Sequence, residues 1–302
     1  MRRILIVLLL ACAAWAQQPG APTAPDLVKQ GQKLNSEGKQ DEALALYRRA
    51  LAITPKLYEA HLESGIALDL KGDYAEARKH FAKAIEVAPA DAKQQALRAM
   101  AFSYAFEGKA DESAKYEKPV FDARLAAGDF AGAAGTANEL ARIYLESGDA
   151  TKAYEWYQTG YETVNKKNDL RDADKNLWIF RWENAQARID ARSGKPEAAV
   201  PHIAAAKAAL EKAKNPDQAA FFPYLVGYVA FYAGDFKNAI SNLQQADQRD
   251  PFILALIGEA YEKTGERAQA SEYFKKVLAI NFHNPTNAFA RPIARKALAG
   301  AG

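Results

Sequence analysis

The chain has 302 residues, of which 49% are hydrophobic and 25% are charged, and its formal net charge is +3. This length allows one large domain or two ordinary ones, with enough apolar side chains for a core. The near balance of 40 basic and 37 acidic residues excludes the strong positive field that nucleic-acid binding uses. We therefore expect no nucleic-acid partner.

Residues 1–16, MRRILIVLLLACAAWA, are typical of an export signal. They contain a positive start at Arg2 and Arg3, an apolar run over 4–10 and a small-x-small cleavage pattern over 14–16. The apolar run is too short to span a bilayer, which needs about 20 residues. The sequence thus predicts a signal peptide over 1–16, a periplasmic or secreted chain, and no transmembrane segment.

The same segment also resembles a bacterial lipobox, LLAC over 9–12. In this alternative Cys12 carries acyl chains and anchors the chain as an envelope-assembly lipoprotein. Cys12 is the only cysteine, so cleavage before Gln17 leaves neither a disulfide nor a cysteine-bearing metal site. Metabolic labelling with palmitate, compared between the wild type and Cys12→Ser, distinguishes the two locations.

Three stretches further along share one pattern of small, large and turn residues. They are DEALALYRRALAITP (41–55), YAEARKHFAKAIEVAP (74–89) and FKNAISNLQQADQRDP (236–251). Each has an alanine, then an aromatic residue or leucine four positions on, then an alanine three further and a proline five further. Offsets of three and four put apolar residues on one helical face. The pattern therefore predicts repeated helices, each preceded by a helical run that ends at Gly38, Gly72 or Gly234.

This arrangement resembles the tetratricopeptide repeat (TPR) family, whose unit of about 34 residues is two antiparallel helices, A and B. The resemblance implies an all-α fold, a right-handed solenoid of helical hairpins. Turn glycines at 38, 72, 108, 148, 194, 234 and 265 then give about seven helix pairs over 25–284, with a further glycine turn at 128. The pairs are most regular over 25–91 and 220–284 and degenerate over 92–219. We expect a flexible leader over 17–24 and a capping helix and tail over 285–302.

No motif for catalysis or metal binding accompanies the repeats. The four histidines lack HExxH spacing, and the common nucleophile, phosphate-loop and dinucleotide motifs are absent. We therefore expect no catalytic residue, no metal and no cofactor. An all-α enzyme is the less favoured alternative, since it would need Glu, Asp or His clustered on the A helices.

Aromatic residues concentrate in the stretch FFPYLVGYVAFYAGDF, residues 221–236. Alignment with the repeat places five of them on the concave groove, beside four polar residues of the preceding A helix. The nine predicted peptide-binding residues are Arg181, Asn184, Arg188, Arg192, Phe221, Tyr224, Tyr228, Phe231 and Tyr232. Aromatic rings supply large rigid contact areas, and arginines bind carboxylates through two parallel hydrogen bonds.

The alternative is that these rings are core. Other residues of the same helix already supply an apolar face, which leaves Phe221, Tyr224 and Tyr228 surplus to packing and favours a binding surface. Among TPR proteins the resemblance implies protein–protein interaction. The predicted function is a non-enzymatic scaffold or adaptor that binds an extended peptide or protein in its concave groove, in the cell envelope.

Overall fold

The computed structural model describes residues 22–300; the predicted signal peptide and Cys12 lie outside them. The described residues contain fifteen α-helices, one short 3₁₀ helix (Pro216–Gln218) and no β-strand. The helices are α1 (Ala24–Ser36), α2 (Gln40–Ile53), α3 (Tyr58–Lys71), α4 (Tyr74–Val87), α5 (Lys93–Ala105), α6 (Ala110–Ala126), α7 (Phe130–Glu146), α8 (Ala150–Val164), α9 (Asp172–Arg192), α10 (Ala199–Ala213), α11 (Phe221–Tyr232), α12 (Phe236–Leu243), α13 (Pro251–Thr264), α14 (Arg267–Ala279) and α15 (Pro285–Ala299).

The helices pack as seven consecutive pairs, from α1 with α2 to α13 with α14, and α15 follows the last pair. A turn glycine with positive φ joins the two helices of every pair, with φ between 67° and 97°. Glycine adopts this left-handed backbone without the steric cost of a Cβ atom. These are the predicted glycines 38, 72, 108, 148, 194, 234 and 265, and Gly128 between α6 and α7 is an eighth.

Within a pair, a small residue of helix A lies directly against a large residue of helix B. A Cβ atom added to Gly65 of α3 would lie 2.5 Å from Cε1 of Phe81 in α4. One added to Gly258 of α13 would lie 2.6 Å from Cε1 of Phe274 in α14. Both rings are buried. In these two pairs the core runs between the two helices, whose axes approach closely because one side chain is missing.

Helix α12 is shorter than the repeat pattern predicts. The helices of the two earlier stretches end two residues before their proline, at Ile53 and Val87, but α12 ends at Leu243, eight residues before Pro251. The Gln248 side chain donates from Nε2 to the Leu243 carbonyl at 2.8 Å, and the same carbonyl accepts from the Ala246 backbone N–H at 3.1 Å. Pro251 instead begins α13, after the N-cap residue Asp250, where a proline loses no helical hydrogen bond.

Helix α1 begins at Ala24, inside the segment predicted as a leader. The Thr23 hydroxyl accepts a hydrogen bond from the Asp26 backbone N–H at 3.3 Å, and the Asp26 carboxylate accepts one from the Thr23 N–H at 3.0 Å. This reciprocal capping box fixes the start of the helix. Ala24 itself is buried, so the solenoid includes at least this residue of the predicted leader.

Helix α15 packs on α13 and α14 and also crosses to α5 and α7. The buried Arg291 guanidinium donates from Nε to the Leu70 carbonyl at 2.8 Å, and Arg295 donates to the same oxygen. Leu70 lies in the last turn of α3, where carbonyls have no helical partner and the helix dipole favours a cation. The last helix is thus tied to the second pair of the chain.

The segment before α15 makes a second connection to the first repeats. The Asn281 side chain accepts a hydrogen bond from Gln40 at the start of α2, at 2.9 Å. His283 Nε2 lies 2.8 Å from the Asp69 carboxylate of α3, and both side chains are buried. The end of the last pair therefore meets the first two pairs, and the solenoid closes on itself.

Candidate functional site

A cavity of about 730 Å³ opens on the concave side of the solenoid. Its walls come from α7, α9, α11 and α13, the A helices of the last four pairs, from Tyr157 of α8, from the segments just before α11 and α13, and from the beginning of α15. Five of the nine predicted peptide-binding residues line it, namely Arg181, Asn184, Arg188, Phe221 and Tyr224. The structure thus brings the polar face of α9 and the first rings of α11 to one cavity.

Arg188 forms part of the floor of this cavity and is only 6% exposed. Its guanidinium donates from Nε to Asn184 Oδ1 at 2.9 Å and from Nη2 to the Tyr157 hydroxyl at 2.8 Å. These two bonds fix the orientation of the guanidinium plane. The third nitrogen, Nη1, is buried and has no partner among residues 22–300.

Arg142 of α7 forms the neighbouring part of the floor. It donates from Nη2 to the Tyr224 hydroxyl at 3.3 Å, while its buried Nε has no partner in the described part of the chain. The Cζ atoms of Arg142 and Arg188 lie 5.7 Å and 6.0 Å from the centre of the Tyr224 ring. The ring therefore offsets part of the two positive charges through cation–π contact.

Neither Arg142 nor Arg188 has an ion-pair partner within 4.0 Å among residues 22–300. The nearby acids are engaged elsewhere: Glu139 with Arg98, Glu146 with Arg192, Asp247 with Arg249, and Asp250 with the backbone N–H of Phe252. Burying a charge without an opposite charge is costly. The floor of the cavity thus holds two buried cations without an ion-pair partner among residues 22–300, while four acids, Glu139, Asp217, Asp247 and Asp250, also line the cavity.

The rim of the cavity combines an exposed ring with an exposed cation. Phe221, at the start of α11, is 47% exposed although it is a large apolar side chain. Arg181 of α9 is also exposed, and its Cζ lies 4.5 Å above the Trp178 ring. Apolar surface beside a stacked guanidinium is typical of the central residues of binding interfaces.

The other four predicted residues pack away from the cavity, around Glu146 of α7. Tyr228 donates to Glu146 Oε1 at 3.1 Å, and Arg192 donates to Oε2 at 3.0 Å and also contacts the Tyr232 hydroxyl. The Phe231 ring packs edge-on against Tyr232, with ring centres 5.1 Å apart. These side chains hold three A helices together.

The sequence suggests that Tyr224 and Tyr228 are surplus to packing, but in the structure both are core residues. Tyr228 has no exposed surface, and Tyr224 is buried apart from its contact with the cavity. The reason is the Glu146 and Arg142 side chains of α7, which give each hydroxyl a partner inside the solenoid. Burial also raises the pKa of both tyrosines, so both hydroxyls remain protonated donors.

The nine predicted site residues do not include Arg142 and Glu146, although a signal for them exists. Arg142, Arg188 and Tyr228 each lie six residues before the turn glycine of their own pair. Glu146, Arg192 and Tyr232 each lie two residues before it. The same positions before Gly148 are occupied by residues of α7, so this spacing adds α7 to the site.

Two further classes of site are not found in the described residues. No group of three or more His, Cys, Asp or Glu side chains within 22–300 is placed to hold a metal ion. No helix in this range has both the length and the apolar composition that crossing a membrane requires.

Models of the tetratricopeptide repeat family match residues 34–101 and 253–284. The chain is a tetratricopeptide repeat protein. The two matches overlap the segments whose pattern is most regular, and the pairs between them keep the same helix–glycine–helix arrangement. A search of curated proteins finds no match.

Solved structures show the same fold at low sequence identity. A tetratricopeptide repeat protein from Parabacteroides merdae ATCC 43184 is 12% identical, with 90% of this chain and 98% of that chain covered and a TM-score of 0.51. Nearly identical TPR-like repeats from Podosopora anserina, described as those of a kinesin light chain, are 16% identical, cover 63% of this chain and 96% of that chain, and give a TM-score of 0.50. At these identities the comparison establishes the helical solenoid and leaves function open.

Proposed function

We propose that this protein is a non-enzymatic scaffold that binds an extended peptide or protein in its concave groove, at the cavity lined by α7, α9, α11 and α13. TPR proteins commonly act in this way, and the observation that supports this location is the exposed Phe221 at the mouth of a cavity with a positive floor. Large exposed apolar residues beside a concave site favour binding over solvation.

The size and lining of the cavity indicate how a peptide would bind. A volume of about 730 Å³ is in the range of pockets for small molecules, so most of an extended peptide would lie along the groove outside it. Fully burying an exposed phenylalanine contributes roughly 1.5–3 kcal/mol, and covering Phe221, which is already about half-buried, would contribute about half of that. Arg181 and the floor arginines then select acidic groups of the partner.

The cell envelope is the proposed location, because the sequence of residues 1–16 is typical of an export signal. Within that location, acylation of Cys12 is the alternative to a free amino terminus, and it would place the same groove at a membrane surface.

The groove is tested by capture of the partner from envelope extract with tagged protein and mass spectrometry. The variant Phe221→Ala/Arg181→Ala removes two exposed side chains of the rim. Its matched control is Phe282→Ala/Arg171→Ala, which removes an exposed phenylalanine and an exposed arginine outside the cavity. We expect at least tenfold less partner with the rim variant and unchanged capture with the control, at unchanged melting temperatures. Equal capture by all three proteins would place the binding surface elsewhere.

A further inference from the structure

We propose that a second pocket, formed by α8, the segment after it and α9, binds a neutral saccharide. The pocket has a volume of about 460 Å³, which is in the range of sites for small molecules. It shares no lining residue with the concave cavity. The inference therefore goes beyond the proposed peptide groove and does not depend on it.

Helix α8 carries two stripes of side chains. The first is buried and packs the helix into the solenoid; it consists of Ala153, Tyr157, Gly160 and Val164. The second starts one residue later, at Tyr154, and continues through Gln158, Tyr161, Glu162 and Asn165. Residues at such offsets share one helical face. The packing of α8 uses the first stripe, so the second is left to line the pocket.

Three rings form one wall of the pocket, the aromatic wall of Tyr154, Tyr161 and Trp182. The Trp182 ring of α9 lies nearly parallel to that of Tyr161, with ring centres 5.3 Å apart, and edge-on to that of Tyr154, with centres 5.8 Å apart. Tyr154 is 41% exposed. The Trp182 N–H and the Tyr161 hydroxyl have no hydrogen-bond partner among residues 22–300, and neither atom is buried. The aromatic wall thus has polar edges that reach solvent.

Polar side chains complete the lining, namely those of Gln158, Glu162, Asn165 and Lys166. Gln158 donates from Nε2 to Glu162 Oε1 at 2.7 Å, which leaves its own amide oxygen free. The exposed Asn165 amide and Lys166 ammonium bond to no other side chain in the part of the chain that the structure describes. The lining therefore offers both donors and acceptors to a ligand.

The charges of the lining favour a neutral ligand. Glu162 is the acid and Lys166 is the base among the lining residues, so a cation is repelled by the lysine and an anion by the glutamate. This composition differs from an aromatic cage for a quaternary ammonium ion, where nothing opposes the positive charge of the ligand.

A sugar ring matches the two halves of this lining. One side of the ring presents C–H bonds that the neighbouring oxygens polarise, and the face of an aromatic ring, which is negative, attracts them. The hydroxyl groups at the edge of the sugar both donate and accept hydrogen bonds, as the four polar side chains do. A proline-rich peptide also stacks on aromatic rings, but its pyrrolidine rings carry no hydroxyl group to use these side chains.

The site is tested by calorimetric titration of the folded protein at pH 7. The saccharide probes are glucose, cellotetraose and tetra-N-acetylchitotetraose, and the competing classes are represented by choline and by acetyl-hexaproline amide. The proteins are the wild type, Tyr154→Ala, Tyr154→Phe and the control Tyr273→Ala. The control removes a tyrosine of α14 that packs on the Tyr261 ring outside the pocket, with ring centres 5.6 Å apart.

We expect the wild type and Tyr273→Ala to bind at least one saccharide, and to bind choline and the proline peptide at least tenfold more weakly. Tyr154→Ala should weaken binding of the saccharide at least fivefold, whereas Tyr154→Phe should keep most of it because the ring remains. Tighter binding of a tetrasaccharide than of glucose identifies a glycan chain as the source, and equal affinity identifies a free sugar.

A second variant tests the polar half of the pocket without removing a ring. Gln158→Ala/Asn165→Ala changes two exposed side chains, so we expect an unchanged melting temperature and at least fivefold weaker binding of the saccharide. The proposal is overturned if no saccharide binds, if choline or the proline peptide binds more tightly, or if Tyr154→Ala and Tyr273→Ala bind the saccharide equally well.

Discussion

The fold changes the pKa of one glutamate on the concave face, Glu259. It lies on α13, six residues before Gly265, at the same position in its pair as Arg188 and Tyr228. Burial, with repulsion from Glu262, raises its pKa from 4.5 to about 7, against the attraction of Arg192 and Lys263. The folded chain therefore keeps a proton on Glu259 at pH values where the unfolded chain has lost it.

The raised pKa of Glu259 makes the stability of the fold depend on pH. Where the folded state binds more protons, stability falls as the pH rises, here between about pH 4.5 and pH 7. We expect Glu259→Gln to be more stable than the wild type at pH 8 by roughly 1–2 kcal/mol, since one pKa unit corresponds to about 1.4 kcal/mol before solvent screening. At pH 5 the two proteins should be alike.

Urea unfolding at pH 5 and pH 8 measures this difference. The control Glu155→Gln changes an exposed glutamate of α8 and should show no such pH-dependent gain. A Glu259→Gln protein that is less stable than the wild type at pH 8 would contradict the raised pKa.

At the scale of helices, the distance between α3 and α4 depends on Gly65, which has no side chain where α3 meets the Phe81 ring. Gly65→Ala would place a Cβ atom 2.5 Å from the Phe81 ring, and we expect a loss of about 1–3 kcal/mol from overpacking. The comparison is Gly135→Ala in α7, where a Cβ atom would meet nothing within 4 Å.

There we expect a gain of about 0.5–1 kcal/mol, because alanine has less backbone freedom to lose than glycine. Chemical denaturation of the two variants beside the wild type measures both effects. Equal changes in the two would mean that the glycine–ring contact does not set the helix spacing.

The arrangement of helices was largely predictable, because its determinants are local. The offsets among Ala77, Phe81 and Ala84, and a glycine before each B helix, lie within one repeat unit and are visible in the sequence. The end of α12 was not predictable, because this stretch has the same spacing as the two stretches whose helices end two residues before their proline. Nor was the burial of Tyr228, because its partner Glu146 lies 82 residues earlier. Periodicity carries no information about such pairs.

For the candidate site, too, some residues could be predicted from local spacing and others could not. The residues of α9 and α11 that line the cavity could be predicted from their unit positions. Which rings face the cavity and which face Glu146 depends on how four A helices converge, and that convergence follows from contacts between distant pairs.

At the scale of the whole molecule, the closed solenoid predicts a fixed distance between its ends. Spin labels on cysteines at Lys39 and Phe282, in a Cys12→Ser background, flank the Gln40–Asn281 hydrogen bond. We expect one short distance for the otherwise unchanged protein. Arg291→Gln/Arg295→Gln removes both donors to the Leu70 carbonyl and should give longer, broader distances.

The control is Arg171→Gln/Arg249→Gln, since these exposed arginines pair only with Asp174 and Asp247 on their own segments. It should leave the short distance unchanged. A short distance that persists without Arg291 and Arg295 would show that α15 does not hold the ends together.

Closure also affects the order in which the chain can fold. In an open repeat array each unit contacts only its neighbours, so folding spreads from unit to unit. Here Arg291 and Leu70 are 221 residues apart, and no shorter piece of the chain can make their contact. On the ribosome the first two pairs emerge long before α15, so their contacts with Asn281, His283 and Arg291 form last. Nascent chains that stall before α15 therefore expose the surface that this helix covers, and chaperones bind such surfaces.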